Sequence, residues 1–234
     1  MKVLFLTLVE FDSIEERNIY TDLLREFRNN GHDVYIISPI QRREHEKTHV
    51  VEEDRSTLLK IRIGNIQRTN IVEKGVTTLS IETVYKQAIK KHFADVKFDL
   101  VLYSTPPITF SNAIEFVKKR DGARTYLLLK DIFPQNSLDI GMLSTTGPKG
   151  AIYQHFRKQE KKLYEISDRI GCMSPANVRY VLEHNPEVSE DKVEVCPNSI
   201  EPIDRSCSPE ERKAYDCRNL LGAWMNSDRK RLGA

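Results

Sequence analysis

Val3-Leu4-Phe5-Leu6-Thr7 opens the chain as an unbroken apolar run, and a stretch with helical periodicity follows within a few residues. An apolar run without polar alternation reads as a strand buried on both faces, which is the habit of parallel sheets. In the helix after it, Ile19, Leu23, Leu24 and Phe27 recur at helical spacing, Ser13 and Glu16 supply a capping-box pair, and Gly31 is the stop. The couplet then repeats. Further strands are expected at 34–37, 58–63, 100–103, 125–129, 169–173 and 193–196, and further helices at 80–93, 108–119, 150–167 and 174–183. The 150–167 helix is amphipathic, with Ile152, Phe156, Leu163 and Ile166 on one face and Arg157, Lys158, Lys161 and Lys162 on the other; Glu160 reads as a surface residue there. The stretch 41–55 is polar, carries both signs of charge, and reads as an exposed loop.

Seven strands alternating with about five helices call for an α/β fold: a doubly wound, mostly parallel, Rossmann-like sheet with helices on both faces. Ligands of such sheets bind outside the carboxyl ends of the strands. Those ends fall at 8–13, 38–39, 104–107, 130–136, 173–174 and 197–198.

Composition narrows the function classes. The 234 residues can bury a sizeable core, and 36 Lys and Arg against 34 Asp and Glu leave a net charge of +2, which argues against a nucleic-acid partner. No apolar run reaches the roughly 18 residues of a membrane-spanning helix, and the first run ends at Glu10 and Asp12 without a cleavage site. Cys172, Cys196, Cys207 and Cys217 show no C-x-x-C spacing, so they read as reduced thiols of a cytoplasmic protein. His45, His49 and His155 lack a second ligand at suitable spacing, and no metal is expected. Beyond Asn198 the β/α pattern stops, and 36 residues are too few for a second core; a tail with a short helix near 209–221 is expected.

Several cofactor motifs are missing. The turn at 7–14 has no glycine to let a pyrophosphate approach, which argues against a dinucleotide. No phosphate-binding G-x-x-x-x-G-K-[ST] and no G-x-S-x-G nucleophile elbow occurs.

A set of segments in order points elsewhere: Ile19-Tyr20-Thr21-Asp22-Leu23-Leu24, Tyr103-Ser104-Thr105-Pro106-Pro107-Ile108-Thr109-Phe110 and Lys130-Asp131-Ile132-Phe133-Pro134-Gln135-Asn136. They continue with Glu160-Lys161-Lys162-Leu163-Tyr164, Ser167-Asp168, Met173-Ser174-Pro175-Ala176-Asn177 and Pro197-Asn198-Ser199-Ile200-Glu201-Pro202. In this order and spacing the chain resembles the N-terminal half of family 4 glycosyltransferases, specifically those that assemble bacterial capsular and surface polysaccharides. The resemblance covers residues 1–203 and leaves 204–234 as an atypical tail. It implies one half of a two-domain glycosyltransferase-B architecture, in which this half takes the acceptor and the other half grips a nucleotide-sugar. That donor is a substrate, so no cofactor is implied, and the family needs no metal because positive side chains and a helix N-terminus of the donor half steady the leaving diphosphate.

Residue by residue, Asp131 stands where family members place an acid or histidine facing the acceptor. It serves there to orient or deprotonate a sugar hydroxyl, or else as a cap or a partner for Lys130. Ser104 and Thr105 precede two prolines and either hydrogen-bond an acceptor hydroxyl or simply make the turn. Glu10 and Asp12 lie in the first loop, near the cleft or merely solvated; Lys130 and Asn136 flank Asp131 on the cleft side. Ser174 caps a helix whether or not it meets substrate, and Asn198 suits a hinge better than a catalytic group. The implied partner is a sugar or lipid-linked sugar acceptor. The donor half is expected either as a separate donor-domain polypeptide or to be lost from a shortened chain whose tail from about Cys207 is not family sequence. Either way the isolated chain is expected to transfer no sugar. Basic clusters at Arg42-Arg43, Lys90-Lys91, Lys118-Lys119-Arg120, 157–162 and 229–231 allow peripheral contact with the inner membrane face, or are ordinary solvated surface. A non-catalytic module binding sugar, lipid or a protein partner is the alternative.

Overall fold

Strand β1 (Lys2–Leu6) is flanked on both sides by parallel strands, and Val3 to Leu6 are almost fully buried, as its uniform apolarity demands. The computed structural model describes residues 1–65 and 71–202, the side chains of 71–76, 78 and 79 excepted. On one side of β1 lie β2 (Asp33–Gln41), then β4 (Ser56–Ile63), then β3 (His49–Glu53). On the other lie β5 (Leu100–Ser104), β6 (Arg124–Leu129), β7 (Arg169–Cys172) and β8 (Val193–Val195). The order is therefore β3-β4-β2-β1-β5-β6-β7-β8, and every pairing is parallel except the antiparallel β3–β4. The winding reverses between β1 and β5, and a crevice opens at the carboxyl ends of strands at such a switch.

Alternation along the strands sorts the core into two layers. Leu4, Leu6, Ile37, Leu59, Val101 and Leu127 face one way, against helices α2 (Ile71–His92), α3 (Ser111–Asp121), α5 (Gly147–Ile166) and α6 (Pro175–His184). Val3, Phe5, Val34, Ile36, Leu58 and Leu102 face the other way, where Tyr20 and Leu24 of α1 (Ile19–Asn29) join them. Among the described residues, no helix is long and apolar enough to cross a membrane.

The parallel α/β architecture matches the expectation, with local corrections. There are eight described strands, not seven, because 41–55 is not a plain loop: it holds the end of β2, a single 3-10 turn at Arg42–Glu44, and all of β3. β3 is an edge strand and carries charge, which is common on edges, and that charge hides its period. The cap of α1 is Asn18, not Ser13: the Asn18 side chain accepts from the Tyr20 and Thr21 amides at 2.9 and 3.0 Å, and Thr21 Oγ1 accepts from the Asn18 amide at 3.1 Å. Ser13 and Glu16 spend their oxygens on the Glu15 and Asp12 amides and shape the loop instead. Gly31 does end the helix, in the left-handed region at φ +82°. Helix α2 begins at Ile71 rather than residue 80, α3 begins at Ser111 rather than 108, and a short α4 (Gln135–Asp139) stands where the periodicity gives no helix. The tail helix near 209–221 lies outside the described residues.

Glu160 also departs from its surface reading, being only 3% exposed. Arg157 Nη1 donates to its Oε2 at 2.5 Å and the Tyr164 hydroxyl donates to Oε1 at 2.7 Å. The other guanidinium nitrogen of Arg157 reaches the His184 carbonyl at 2.9 Å and Asn185 Oδ1 at 2.6 Å, so the pair ties α5 to the end of α6. Burial pushes the Glu160 carboxyl above its ordinary value even though Tyr164 and Arg157 pull it down.

Candidate functional site

The switch between β1 and β5 places the exits of several strands around one cavity of about 800 Å³. Leu8, Val9 and Glu10 enter from the end of β1, Pro39, Gln41 and Arg43 from β2 and the turn after it, and Ile63 from β4. Pro106 to Thr109 come from the turn after β5, and Phe133 and Ser137 from the segment after β6. Met142, Leu143, Ile81 and Phe156 close the remaining walls. Twelve of these seventeen lining residues are apolar, so the cavity is a hydrocarbon-like slot with a few polar groups. Phe133 and Phe156 meet edge to face at 5.0 Å and stiffen one wall.

The polar groups gather at the β1–β2 side. Partial burial, then the hydrogen bond and charge of Glu44, hold the Glu10 carboxyl above the usual carboxylate range, while Lys60 works in the opposite direction. Lys60 is 4% exposed, a cation inside strand β4, and its Nζ pairs with Asp12. Desolvation lowers that ammonium's proton affinity, but the bond to Asp12 and the charges of Asp12, Glu10 and Glu46 more than offset it, so Lys60 titrates above its ordinary value. Elsewhere in the lining, Thr109 Oγ1 is buried without a hydrogen-bond partner among the described residues. A ligand hydroxyl or carbonyl at that point would satisfy it.

Of the nine residues that the sequence singles out, Glu10 lines the cavity, and the other eight do not. Asp12 stands outside it, largely exposed, on Lys60. Ser104 is buried at the end of β5. Thr105 is also buried, and its hydroxyl works on the neighbouring strand's exit: it donates to the Asp131 carbonyl at 2.9 Å and accepts from the Lys130 and Asp131 amides at 3.1 and 3.3 Å. That clasp fixes the backbone of Asp131, whose side chain is left exposed. Lys130 is half-buried; burial lowers its proton affinity and the nearby Cys196 raises it in part. Asn136 is exposed on α4, and Ser174 caps α6 through the Asn177 amide at 3.2 Å. Asn198 is exposed in the segment after β8.

Arg43, Gln41, Thr109 and Lys60 are not among those nine, and Arg43 enters the sequence reading only as part of the basic Arg42-Arg43 pair. Lys60 leaves a signal, a lone charge within the run Leu58-Leu59-Lys60-Ile61, whereas Arg43 is one basic residue among many.

Comparison with solved structures shows the same fold. The trehalose-6-phosphate synthase OtsA superposes with a TM-score of 0.61 at 10% identity, over 92% of this chain and 54% of that one. The structure of trehalose-6-phosphate from E. coli bound with UDP-2-fluoro glucose gives 0.58 at 11% identity over 92% and 54%. TcCGT1 in complex with UDP gives 0.52 at 11% identity over 95% and 55%. These are glycosyltransferase-B enzymes, and the chain spans about half the length of each. No curated protein matches the sequence significantly. The model of Glycosyltransferase Family 4, however, matches residues 18–203, most of the chain, and the protein is therefore a member of that family.

Proposed function

We propose that residues 1–203 are the acceptor-binding half of a hexosyltransferase that moves a sugar from a nucleotide-sugar to a lipid-linked polysaccharide precursor. Family membership supports the reaction class, and the UDP and UDP-2-fluoro glucose of the structural neighbours support a nucleotide-sugar donor. The observation that carries the acceptor assignment is the apolar cavity at the strand ends. A sugar alone has little use for twelve apolar walls, but a prenyl-type chain does. Burying about 200 Å² of hydrocarbon there is worth roughly 5 kcal/mol before the cost of ordering the chain is subtracted.

In this reading the acceptor's polar end lies beside Glu10 and Arg43, with Thr109 Oγ1 as a further contact. Asp131 orients or deprotonates the acceptor hydroxyl, and Thr105 is a positioning residue that holds Asp131 through its backbone. Asp12 on Lys60, together with Ser104, Lys130 and Asn136, borders the cleft; Ser174 and Asn198 serve as cap and hinge. The donor's diphosphate is gripped by a second β/α half outside residues 1–203, and this unit alone transfers no sugar.

The test is a titration of the full chain with water-soluble farnesyl phosphate and, separately, with UDP. Farnesyl phosphate binds, Phe133→Ala weakens it at least fivefold with the fold intact by circular dichroism, and UDP shows no heat. Tight UDP binding without farnesyl phosphate binding would overturn the assignment.

A further inference from the structure

We infer that Glu10 and Glu44 form one carboxyl pair sharing a single proton, and that this pair sets which acceptor heads the cavity admits: an anionic head enters together with the proton. The inference rests on the acceptor reading above and gives its polar corner a selective role. Three lining residues converge on Glu44. Its Oε2 accepts from the Gln41 amide at 3.0 Å, its Oε1 lies 3.7 Å from Arg43 Nε, and its carboxyl is hydrogen-bonded to the Glu10 carboxyl. Gln41, Arg43 and Glu10 all line the cavity, so Glu44, outside the lining itself, ties the corner together. An ionised carboxylate only accepts, so a hydrogen bond between two carboxyl groups needs a proton on one of them. That proton belongs to the pair rather than to either residue.

The other charged groups that act on Glu10 are Lys60 and Asp12, and they are engaged with each other, with Glu46 adding to the field at Lys60. Beside Glu44 stands the guanidinium of Arg43. With one proton on the pair, Arg43 and Lys60 balance the carboxylates of the corner; without it, an extra negative charge faces the slot. A phosphate head brought to this point then meets a like charge a few ångströms away, a repulsion that solvent and salt weaken but do not cancel. Burial, and then Glu44, already hold the Glu10 carboxyl above the usual carboxylate range. The pair therefore keeps its proton at low pH, and affinity for an anionic head is full there and falls as pH rises through the pair's value. A neutral head meets no such repulsion.

The experiment titrates the full chain at pH 5 and pH 8 with farnesyl sulfate, whose single charge is fixed over that range, and with neutral farnesol. Farnesyl sulfate binds more weakly at pH 8 by roughly threefold or more, and heats in buffers of different ionisation enthalpy show proton uptake; farnesol binds equally at both. Glu44→Gln offers an amide N–H to Glu10 and an oxygen to the Gln41 amide without a second charge. It abolishes the pH dependence, and its affinity at pH 8 matches that of the unaltered protein at pH 5. Glu10→Gln is the second variant and gives the same flat profile, with both folds checked by circular dichroism. Both variants keep every histidine, so a pH dependence that survives in them overturns the inference. Equal binding of farnesyl sulfate at the two values, or farnesol weakening in step with it, overturns it as well. If farnesyl phosphate binds while farnesyl sulfate shows a flat profile or none, the acceptor reading stands and the shared proton is wrong; if neither ligand binds at either pH, both fall.

Discussion

Removing the guanidinium of Arg157 isolates a buried carboxylate, and the consequence can be worked from the geometry. Glu160 is 3% exposed and has two partners, Arg157 and the Tyr164 hydroxyl. Arg157→Ala leaves the neutral hydroxyl only, and also drops the bonds to His184 and Asn185 that join α5 to α6. Breaking one side of a buried ion pair costs about 3–5 kcal/mol; the low end applies, because the Arg157 side chain is 18% exposed and water can enter behind it. At roughly 2–4 °C per kcal/mol for a chain of this size, about 3 kcal/mol is a drop of about 6–12 °C in Tm. The pH dependence identifies the cause. Burial already raises Glu160 in the folded state, so the folded chain holds this proton more tightly than the unfolded chain does. The resulting stabilisation is full below the unfolded value and is lost as pH rises through the folded value. Without Arg157 that folded value moves higher still, so the deficit of the variant is smaller near pH 5 than near pH 8; the loss of the His184 and Asn185 bonds adds to it equally at both. Melting curves followed by circular dichroism at both values test this, with Arg157→Ala/Glu160→Gln recovering a good part of the loss. A deficit that is equal at pH 5 and pH 8, or a double variant no better than the single, would refute the reasoning.

Two further outcomes follow from packing. Thr105→Val keeps the shape but strands the Lys130 and Asp131 amides and the Asp131 carbonyl, costing about 1–3 kcal/mol; hydrogen exchange at the Asp131 amide should accelerate well beyond the change at β1, and equal acceleration everywhere would remove Thr105 from its positioning role. Gly171→Ala sets a Cβ 2.6 Å from both the Cys196 Cβ and the Tyr126 hydroxyl oxygen, so β8 must shift at a cost of about 1–3 kcal/mol; limited proteolysis should then cut near 193–196 first, and an unchanged cleavage pattern would count against it.

The strand–helix alternation is legible in the sequence because each inner strand is apolar on both faces, so Val3 to Leu6 or Val101 to Tyr103 cannot be taken for amphipathic helix. Edge strand β3 is not, since His49, Glu52 and Glu53 are polar and read as loop. Glu160 misleads because its neighbours Lys161 and Lys162 are charged, whereas its own partners, Arg157 and Tyr164, lie one turn away on the same helix. The cavity is hardest to read. Its walls come from several separate strand exits, and a valine or proline facing an empty slot has the same spelling as one facing the core. Glu10 stands out for its charge and its loop, and those two clues do survive folding. Thr105 stands out for its hydroxyl, which the fold spends on the backbone of the adjacent strand.

The strand order also sets how the sheet can be assembled in time. Val3 pairs with Leu100, 97 positions away, whereas β2 with β4 and β5 with β6 join residues only 22 and 24 apart. Closing a loop some four times longer costs about 1 kcal/mol more in chain entropy, and such distant parallel pairings are the slow ones. During synthesis the first arm can zip while the second is still unmade, and the seam along β1 stays open until residue 104 has left the ribosome. Until then the most apolar strand in the molecule has one naked side, and that interval is when a chaperone has most to hold.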